Sequence, residues 1–313
     1  MRILITGGTG SLGRALLQYL KDNKLPIEAV VFSRDETKQG KVRAQFPEHT
    51  YVLGDVAKYR DLERVMDDID IVFHFAAYKQ VPSAQNNVAA TIETNVLGSQ
   101  NVVDAAKRAK VKKVVASSTD KSCASANAYG ASKSLMESIF QNGNKTGKTT
   151  FHLARYGNVV SSNASVIPLF KKQAALGGPL TVTDARMTRF WITLDRAVQL
   201  VLRALIQRPG VIVVPKAAAM SVVDVARAVA PGIPVEEIGI RPGEKLHELM
   251  VSEPESFYTR EDDRHFYIYP PAAEYLNLQV TQPFVYASNA PARWLTAQEI
   301  LSMVEETRSK YGT

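Results

Sequence analysis

Two side chains in the middle of the chain have types and spacing that suit proton transfer. Tyr129 and Lys133 stand four residues apart, which places them on one face of a helix. An ammonium group there lowers the pKa of a phenol, so Tyr129 can act as a base near neutral pH. The alternative is a solvated tyrosine and lysine on an ordinary helix. We expect a catalytic pair, because a hydroxyl-bearing strand end precedes it.

Three more reactive side chains lie just before this pair. Thr119, Asp120 and Lys121 supply a hydroxyl, a carboxyl and an amine in consecutive positions at the end of a predicted strand. A neighbouring acid and base at such a place suit catalysis by proton transfer. A surface ion pair that caps a loop is the alternative.

A glycine-rich turn near the start of the chain has the composition of a nucleotide site. Its glycines recur every third residue between a predicted strand and an apolar-periodic helix. Glycine lets the backbone approach a diphosphate, and the helix N-terminus offers free N–H groups. A plain glycine turn is the alternative, but the flanking strand and helix favour a dinucleotide. We therefore assign cofactor binding to Gly7, Thr9, Gly10, Ser11, Leu12 and Gly13.

The end of the second strand indicates which dinucleotide binds. It reads Ser33, Arg34, Asp35. An arginine at this point favours the 2′-phosphate of NADP through charge-assisted hydrogen bonds. We therefore expect Ser33 and Arg34 to bind NADP. The alternative is a solvated Arg34, with Asp35 turned inward to a ribose hydroxyl.

Two later strand ends complete the predicted cofactor groove. Asp55 and Val56 follow the third strand and suit contact with an adenine edge. Ala76 and Ala77 follow the fourth strand, and their small side chains let a cofactor lie against the sheet.

The elements that must position these residues alternate along the first half of the chain. Short β-branched or apolar runs alternate with segments of helical periodicity. This alternation indicates βαβ units and a parallel sheet with helices on both faces. The predicted strands are 2–6, 29–33, 51–53, 71–75, 113–117, 149–155 and 211–215, and the predicted helices are 11–22, 35–45, 58–68, 89–109, 128–143 and 194–206.

We predict an α/β protein, in which a Rossmann-type doubly wound parallel sheet is interleaved with a smaller C-terminal substrate domain. The regular alternation of predicted strands and helices changes after residue 160. The stretch 231–291 is rich in proline and shows no βα alternation. The predicted NADP-binding domain therefore comprises residues 1–165 and 191–216, and the substrate domain comprises residues 166–190 and 217–313.

Composition limits the class of protein. The 313 residues are 45% hydrophobic and 22% charged, which is typical of a globular protein and argues against a disordered or membrane-inserted chain. The net charge of +7 is spread along the chain and suits an anionic small molecule better than nucleic acid. One cysteine, and five histidines without ligand spacing, predict no metal site. Because no targeting segment is recognisable, we expect a cytoplasmic protein.

Eight short motifs are spread over nearly the whole chain. They begin at Thr6 (TGGTGSLG), Ser33 (SRDE), Ala76 (AAYKQVP), Ser118 (STDK), Tyr129 (YGASK), Arg155 (RYGNVV), Met187 (MTRFWI) and Arg241 (RPGEKLHE). Together they resemble the extended short-chain dehydrogenase/reductase superfamily. The fourth and seventh motifs narrow the resemblance to the configuration-inverting UDP-N-acetylglucosamine 4,6-dehydratases, a polysaccharide biosynthesis protein family.

This resemblance implies an NADP-dependent enzyme that dehydrates UDP-N-acetylglucosamine or a close UDP-hexose, with inversion at C5. Tyr129 would take the C4 hydroxyl proton as hydride passes to the cofactor, and Thr119 would hydrogen-bond the same oxygen. The C4 ketone acidifies C5, so Lys121, held neutral by cationic Lys133 and partial burial, could remove the C5 proton. Asp120, if protonated, would protonate the departing C6 hydroxyl, and hydride would return to C6.

The resemblance also implies substrate contacts and partners. Cationic side chains suit the diphosphate of a UDP-sugar, and relatives often form homo-oligomers. Two alternatives from the same 4-keto intermediate remain, a UDP-sugar 4-epimerase and a 5,6-dehydratase. A non-catalytic NADP-sensing protein is a third. The implied substrate-binding residues are Lys79, Asn158, Ser165, Arg241 and Glu244.

Overall fold

One large sheet organises the protein. The computed structural model describes residues 1–160, 166–271 and 282–312. From edge to edge the strands of this sheet are β3 (Thr50–Leu53), β2 (Glu28–Ser33), β1 (Arg2–Thr6), β4 (Ile71–His74), β5 (Lys113–Thr119), β6 (Thr150–Tyr156), β10 (Ile212–Pro215), β15 (His265–Ile268) and β14 (Thr259–Glu261). The strands from β3 to β10 are parallel, whereas β15 is antiparallel to both of its neighbours, β10 and β14. The strand order reverses direction at β1 and β4, as in dinucleotide-binding sheets, and confirms the predicted α/β class.

Helices cover both faces of this sheet. In the described residues they are α1 (Ser11–Asp22), α2 (Glu36–Gln45), α3 (Tyr59–Glu63), α4 (Val81–Asn86), α5 (Val88–Ile92), α6 (Gly98–Arg108), α7 (Ala128–Gly143), α8 (Val166–Ala175), α9 (Leu194–Ala204), α10 (Val222–Val229), α11 (Glu253–Ser256) and α12 (Ala297–Tyr311). Leu4 of β1 packs in the apolar cluster that includes α3, α6 and α7. Ile3 and Ile5 of the same strand pack on the opposite face with α1 and α9. Successive side chains of a strand thus serve two separate apolar layers.

The predicted helix 89–109 is instead a series of shorter pieces. Helical structure already begins at α4, which has Pro82 in its first turn. Between α5 and α6 the chain winds as a π-helix over Glu93–Leu97. Buried Asn95 in this turn bonds to the backbone N–H of Tyr78 at 2.7 Å and to its carbonyl at 3.1 Å. A π-turn commonly marks a place where a helix serves a local contact, here with the loop after β4.

A smaller unit is built from short sheets. One contains β7 (Asn158–Val159), β9 (Thr188–Ile192) and β11 (Ala219–Ser221); the other two pair β8 (Leu180–Val182) with β12 (Val235–Glu237), and β13 (Leu249–Val251) with β16 (Tyr286–Ala287). Helices α8, α10 and α12 pack on a separate apolar cluster beside β8 and β9.

The substrate-domain range 217–313 does not form one separate unit. Its strands β14 and β15 extend the large sheet, because β15 pairs with β10 and places Phe266 and Ile268 in the core of that sheet. The two strands form an antiparallel hairpin without an intervening helix, so the alternation of strands and helices in the sequence did not predict them. The rest of the domain division stays a prediction.

A buried arginine connects the two parts of the molecule. Arg155 of β6 is 1% exposed, and its Nη2 lies 2.7 Å from carboxylate oxygens of both Glu137 in α7 and Glu255 in α11. Its Nη1 donates to the carbonyl of Met250 in β13 at 2.8 Å. Glu137 also accepts a hydrogen bond from Ser122 in the turn after β5. One buried charge therefore joins the large sheet, α7, the smaller unit and that turn.

Replacing this arginine should destabilise the protein. Arg155→Leu leaves two carboxylates without their shared partner, and breaking a buried ion pair in this way costs about 3–5 kcal/mol. Urea denaturation should therefore show a much lower midpoint. Arg186→Leu is the matched control, because Arg186 pairs with Asp184 but its side chain is 69% exposed. Equal midpoints for the two variants would show that the buried network does not stabilise the fold.

Candidate active site

The polar residues singled out in the sequence gather at the carboxyl ends of the parallel strands. Strands β1, β4, β5 and β6 end side by side, with Thr6 opposite His74 and Thr119 opposite Tyr156. In open α/β sheets the crevice at these ends is where ligands bind. The glycine turn and the 119–121 segment therefore open on one crevice.

Close backbone contacts fix the glycine turn between β1 and α1. Gly7 has a φ of +68°, and a Cβ there would lie 2.6 Å from the backbone nitrogen of Ala76. A Cβ on Gly13 would lie 2.4 Å from the carbonyl oxygen of Gly8, so only glycine lets α1 pack this closely. Helix α1 begins at Ser11 without an acidic side chain in its first turn. Its free N–H groups can hold the diphosphate of a nucleotide.

Of the other residues in the glycine turn, some pack in the core and some lie at the surface. Leu12 is buried, so it supports the turn from the core. Gly10 is exposed at the tip, and Thr9 and Ser11 are partly exposed beside it. These three are the turn residues placed to meet a ligand.

After β2, the exposed charged group is the guanidinium of Arg34, and the carboxylate of Asp35 bonds to α2. Arg34 has a side chain that is 54% exposed, with Nη1 3.4 Å from Asp55 Oδ2. Asp35 Oδ1 instead accepts the N–H of Lys38 at 2.9 Å, a bond that lowers the pKa of Asp35. Its carboxylate therefore caps α2. Ser33 is buried and accepts a hydrogen bond from the same helix.

The remaining predicted cofactor residues line the sheet end in different ways. Val56 is buried against α6, whose Asn101 donates to the Val56 carbonyl at 3.0 Å, so Val56 acts by packing. Ala76 and Ala77 are partly exposed after β4. The amide of Ala76 lies 3.5 Å from Thr6 Oγ1, which ties this edge of the crevice to β1.

The predicted acid and base lie in the tight turn after β5. Asp120 is fully buried, and its N–H donates to the Tyr156 carbonyl at 3.0 Å. Lys121 Nζ lies 2.9 Å from Asp120 Oδ1 and 3.3 Å from Asn158 Oδ1. Thr119 Oγ1 also donates to Asp120 Oδ1, at 3.0 Å. One carboxylate oxygen therefore orients both neighbours.

Helix α7 brings Tyr129 to this turn. Asn127 caps the helix by accepting the N–H of Gly130 at 2.8 Å. A Cβ on Gly130 would lie 2.1 Å from the Lys121 carbonyl oxygen, so this glycine allows the close approach. Burial raises the pKa of Tyr129 to about 12, against the charge of Lys121 and a hydrogen bond with Thr119. Tyrosine, threonine and the acid–base pair thus form one cluster.

Lys133 supports this cluster differently from the prediction. Its Nζ donates to the Ser117 carbonyl at 2.7 Å and lies 2.8 Å from Met136 Sδ. Burial lowers the pKa of Lys133 to about 8. The cation that opposes the raised pKa of Tyr129 is Lys121. Lys121 therefore takes the place that the sequence analysis gave to Lys133 in opposing the effect of burial on Tyr129.

Two carboxylates beside Lys121 favour its ammonium form, whereas the sequence analysis expected a neutral amine. Burial acts to lower its pKa, but the charges of Asp120 and Glu248 outweigh burial and raise it. Burial raises the pKa of Asp120. From the sequence, only Lys133 was expected near Lys121. Nothing in the sequence indicated that the carboxylate of Glu248, which is far away in the chain, lies beside the Lys121 amine.

Glu248 is the site residue that the sequence analysis missed. Its Oε1 lies 3.2 Å from Lys121 Nζ, and the residue is 3% exposed. The sequence feature that could have indicated Glu248 is its position as the last residue of the motif that begins at Arg241. Arg189, in the Met187 motif, also reaches this carboxylate, with Nε 3.9 Å from Oε1.

The predicted substrate residues occupy different parts of the crevice. Asn158 contacts Lys121 directly. Arg241 is exposed on a segment held to α7 by the bond from Asn127 Nδ2 to the Gly243 carbonyl, at 2.8 Å. Glu244 lies on the same segment, with Oε1 3.6 Å from Arg241 Nη1.

Lys79, another predicted substrate residue, is not part of this cluster. Lys79 is exposed in the loop after β4, beside the anchored Tyr78. Ser165 lies outside the described residues.

The described ranges contain neither a cluster of potential metal ligands nor a membrane-spanning helix. Within residues 1–160, 166–271 and 282–312, no three His, Cys, Asp or Glu side chains are grouped so as to hold a metal ion. No helix in these ranges is long and apolar enough to cross a bilayer.

Comparison with known proteins agrees with this architecture. The model of the polysaccharide biosynthesis protein family matches residues 3–270. The chain is 39% identical to a UDP-N-acetylglucosamine 4,6-dehydratase (inverting) of Campylobacter jejuni, over 97% of each chain. It is 41% identical to a UDP-glucose 4-epimerase of Rickettsia bellii, covering 88% of this chain and 84% of the relative.

A solved structure is similar over nearly the whole length. Pen from Bacillus thuringiensis has a TM-score of 0.89 and 32% identity, covering 98% of this chain and 97% of that one. The match therefore includes the smaller unit as well as the large sheet. Since the family model also spans most of the sequence, the chain belongs to the polysaccharide biosynthesis protein family.

Proposed function

We propose that the protein is an NADP-dependent UDP-N-acetylglucosamine 4,6-dehydratase that inverts C5. The observation that carries this proposal is the hydrogen-bonded Asp120–Lys121 pair, 2.9 Å apart, in one cluster with Thr119 and Tyr129. An epimerase needs one base at C4, whereas elimination of water needs a second base and an acid. The Campylobacter relative carries the same activity in its name.

The first step is oxidation at C4, which makes the C5 proton acidic. In this proposal Tyr129 takes the C4 hydroxyl proton as a phenolate, a form that the charge of Lys121 and a hydrogen bond with Thr119 favour against the effect of burial. Thr119 hydrogen-bonds the same substrate oxygen. When NADP is bound at the glycine turn, it supplies the hydride acceptor for C4 and the hydride donor for C6.

The second step uses the ion pair after β5. Transfer of one proton from Lys121 Nζ to Asp120 Oδ1 creates a neutral amine and a carboxylic acid together. The amine then removes the C5 proton as the C5–C6 double bond forms. The C6–O bond breaks, and the hydroxyl leaves as water with the proton of Asp120. This returns the Lys121 ammonium and the Asp120 carboxylate, which is the charge state that favours the observed contact.

The protons balance over one turnover. Lys121 keeps the proton that it removed, so the pair is back in its starting state once water has left. Inversion requires the new C5 proton to arrive on the face opposite Lys121, and it therefore comes from another solvent-exchangeable group when hydride reaches C6. That group has lost one proton and Tyr129 has gained one from the C4 hydroxyl, so exchange with solvent restores both. No external reductant is consumed.

The cofactor and substrate assignments rest on charge. Asp35 is engaged in capping α2, so Arg34 is the charged group available to a ribose phosphate. Exposed Lys79 and Arg241 supply cations for a UDP diphosphate. A nucleotide sugar with this cofactor suits a cytoplasmic enzyme.

We also propose that the enzyme forms a homo-oligomer. Four large apolar side chains are 44–54% exposed on or beside the helices next to the site, and a self-association surface would cover them. Light scattering tests this assignment. The residues are Val88, Ile92, Leu97 and Leu135.

Product analysis separates the candidate reactions. Purified protein should convert UDP-N-acetylglucosamine to a product lighter by one water, which NMR identifies as the 4-keto-6-deoxy sugar. A product of unchanged mass would indicate 4-epimerisation, the activity named for the Rickettsia relative. A 5,6-alkene would indicate 5,6-dehydration. Absence of turnover across a panel of UDP-sugars would support an NADP sensor.

The cofactor preference should depend on Arg34. Wild type should bind NADP more tightly than NAD, and Arg34→Ala should weaken NADP binding by about 1.5 kcal/mol, roughly tenfold. Titration of both cofactors by fluorescence measures this. Lys41→Ala removes the same charge from an exposed site on α2 and is the control. Equal affinity of wild type for both cofactors would contradict the assignment.

Removing one phenol oxygen should block the first step. Tyr129→Phe should bind cofactor and fold normally, but substrate should no longer reduce the cofactor in stopped-flow absorbance. A loss of about 10²–10⁴-fold is typical when a general base is removed. Tyr19→Phe in α1 should retain wild-type kinetics. Normal transient reduction in Tyr129→Phe would identify another group as the base.

Lys121 should be required only after C4 oxidation. Lys121→Met should still form reduced cofactor, which then persists because no elimination follows. Wild type in deuterated water should place deuterium at C5, since the proton returned to C5 comes from a group that exchanges with solvent. Circular dichroism and cofactor binding check the fold of the variant. Product without C5 deuterium, or dehydration by Lys121→Met at the wild-type rate, would exclude Lys121 as the base.

A further inference from the structure

Lys121 Nζ has two carboxylates against it rather than one. Asp120 Oδ1 is 2.9 Å away and Glu248 Oε1 is 3.2 Å away. One ammonium group needs one counter-charge, and a buried carboxylate is costly unless it is compensated. The presence of the second carboxylate therefore calls for a separate reason.

The two carboxylates differ in the charges that surround them. Glu248 has Arg189 Nε at 3.9 Å and Lys245 Nζ at 3.8 Å in addition to Lys121. Asp120 has Lys121 as its one ion-pair partner among the described residues. Each carboxylate has one oxygen without a hydrogen-bond partner there, Asp120 Oδ2 and Glu248 Oε2, so the neighbouring cations are what distinguishes them. Nearby cations favour the ionised form of a carboxylate. The surroundings therefore keep Glu248 charged and leave Asp120 free to take a proton.

Backbone contacts hold Glu248 in this place. Its N–H donates to Ser288 Oγ at 2.9 Å. The Arg189 guanidinium donates to the Lys245 carbonyl at 3.0 Å, and Lys245 Nζ donates to the Cys123 carbonyl at 2.6 Å. The segment that carries Glu248 is thus tied both to β9 and to the catalytic turn, so the carboxylate meets Lys121 at a fixed position.

The electrostatics point the same way. Burial raises the pKa of Asp120, and the negative charge of Glu248 adds to this effect against the charge of Lys121. Burial also acts on Glu248, but Lys121, Arg189 and Lys245 together bring its pKa below the usual value. Two carboxylates with pKa values pushed apart are suited to different roles.

We propose that Glu248 is the permanent counter-ion of Lys121, a positioning residue that holds the amine in the site and leaves Asp120 free to carry the proton for the departing hydroxyl. The role of Asp120 in this statement rests on the proposed dehydration. The counter-ion role of Glu248 does not, because it concerns the charge of Lys121 in the protein alone.

This proposal predicts how Lys121 titrates. The charged groups that face it are Asp120, Glu248, Arg189 and the phenol of Tyr129. Removing the charge of Glu248 destabilises the ammonium form, so the pKa of Lys121 must fall. Glu248→Gln, which keeps the shape and a hydrogen-bond acceptor, should lower the titration midpoint of Lys121 by about 1–3 pH units.

Nuclear magnetic resonance of protein labelled with ¹³C at lysine Cε measures this midpoint without substrate or cofactor. The Lys121 signal is the one absent from Lys121→Met. Glu253→Gln is the matched control, because Glu253 is exposed in nearby α11, and it should titrate as wild type does. If Lys121 titrates alike in wild type and Glu248→Gln, or keeps its ammonium shift in both until the fold is lost, the proposal is overturned.

A second variant covers the case in which Glu248→Gln does not fold. Glu248→Asp keeps the negative charge but shortens the side chain by one methylene, which moves the carboxylate away from Lys121. The titration midpoint of Lys121 should therefore fall by less than in Glu248→Gln. If only Glu248→Asp folds, an unchanged midpoint in that variant overturns the proposal.

The pH profile of water release connects the counter-ion to catalysis. The reactive pair holds one proton between Lys121 and Asp120, and the charge of Glu248 raises both pKa values of the pair. Both limbs of the profile should therefore move to lower pH in Glu248→Gln, whereas a purely structural defect would lower the rate without moving the limbs. If the Lys121 midpoint shifts in Glu248→Gln but wild type does not dehydrate the substrate, the counter-ion role stands and the dehydratase proposal is rejected. If wild type dehydrates the substrate but neither the Lys121 midpoint nor the pH profile shifts in Glu248→Gln, the dehydratase proposal stands and the counter-ion role is rejected.

Discussion

The buried charge of Arg155 is the constraint on which the arrangement of the site depends. A guanidinium that is 1% exposed must be compensated, and its partners come from α7 and α11. Satisfying it therefore fixes the second part of the chain against the sheet. Because Glu137 also accepts the hydroxyl of Ser122, the same network reaches the turn that carries the acid and the base.

Charge compensation continues from that network into the site itself. Lys121 is balanced by a carboxylate from its own turn and by one from the segment before β13. In the proposed reaction, one proton that moves across the 2.9 Å hydrogen bond produces both an acid and a base without a change in the net charge of the pair. A low-dielectric site makes such a neutral rearrangement cheaper than the creation of a new charge.

The fold alone does not select a reaction. Relatives that cover most of this chain are named as dehydratases and as epimerases, and both kinds of reaction pass through oxidation at C4. We propose that the glycine turn and the Tyr129 helix serve that shared step. In our proposal the outcomes differ by the acid and base available next to C5 and C6, which are the side chains of the turn after β5.

The sequence by itself determined the parallel sheet, the glycine turn and the acid–base segment, because these depend on periodicity and on contacts between near neighbours. Gly7, Gly13 and the Tyr129–Lys133 spacing were readable for that reason. It could not show that the hairpin of β14 and β15 joins the large sheet, or that Glu248 meets Lys121, since both contacts join segments far apart in the chain. Protonation was likewise decided by tertiary structure. The charge of Lys121 depends on burial and on carboxylates brought within about 4 Å, and only the folded chain sets those distances.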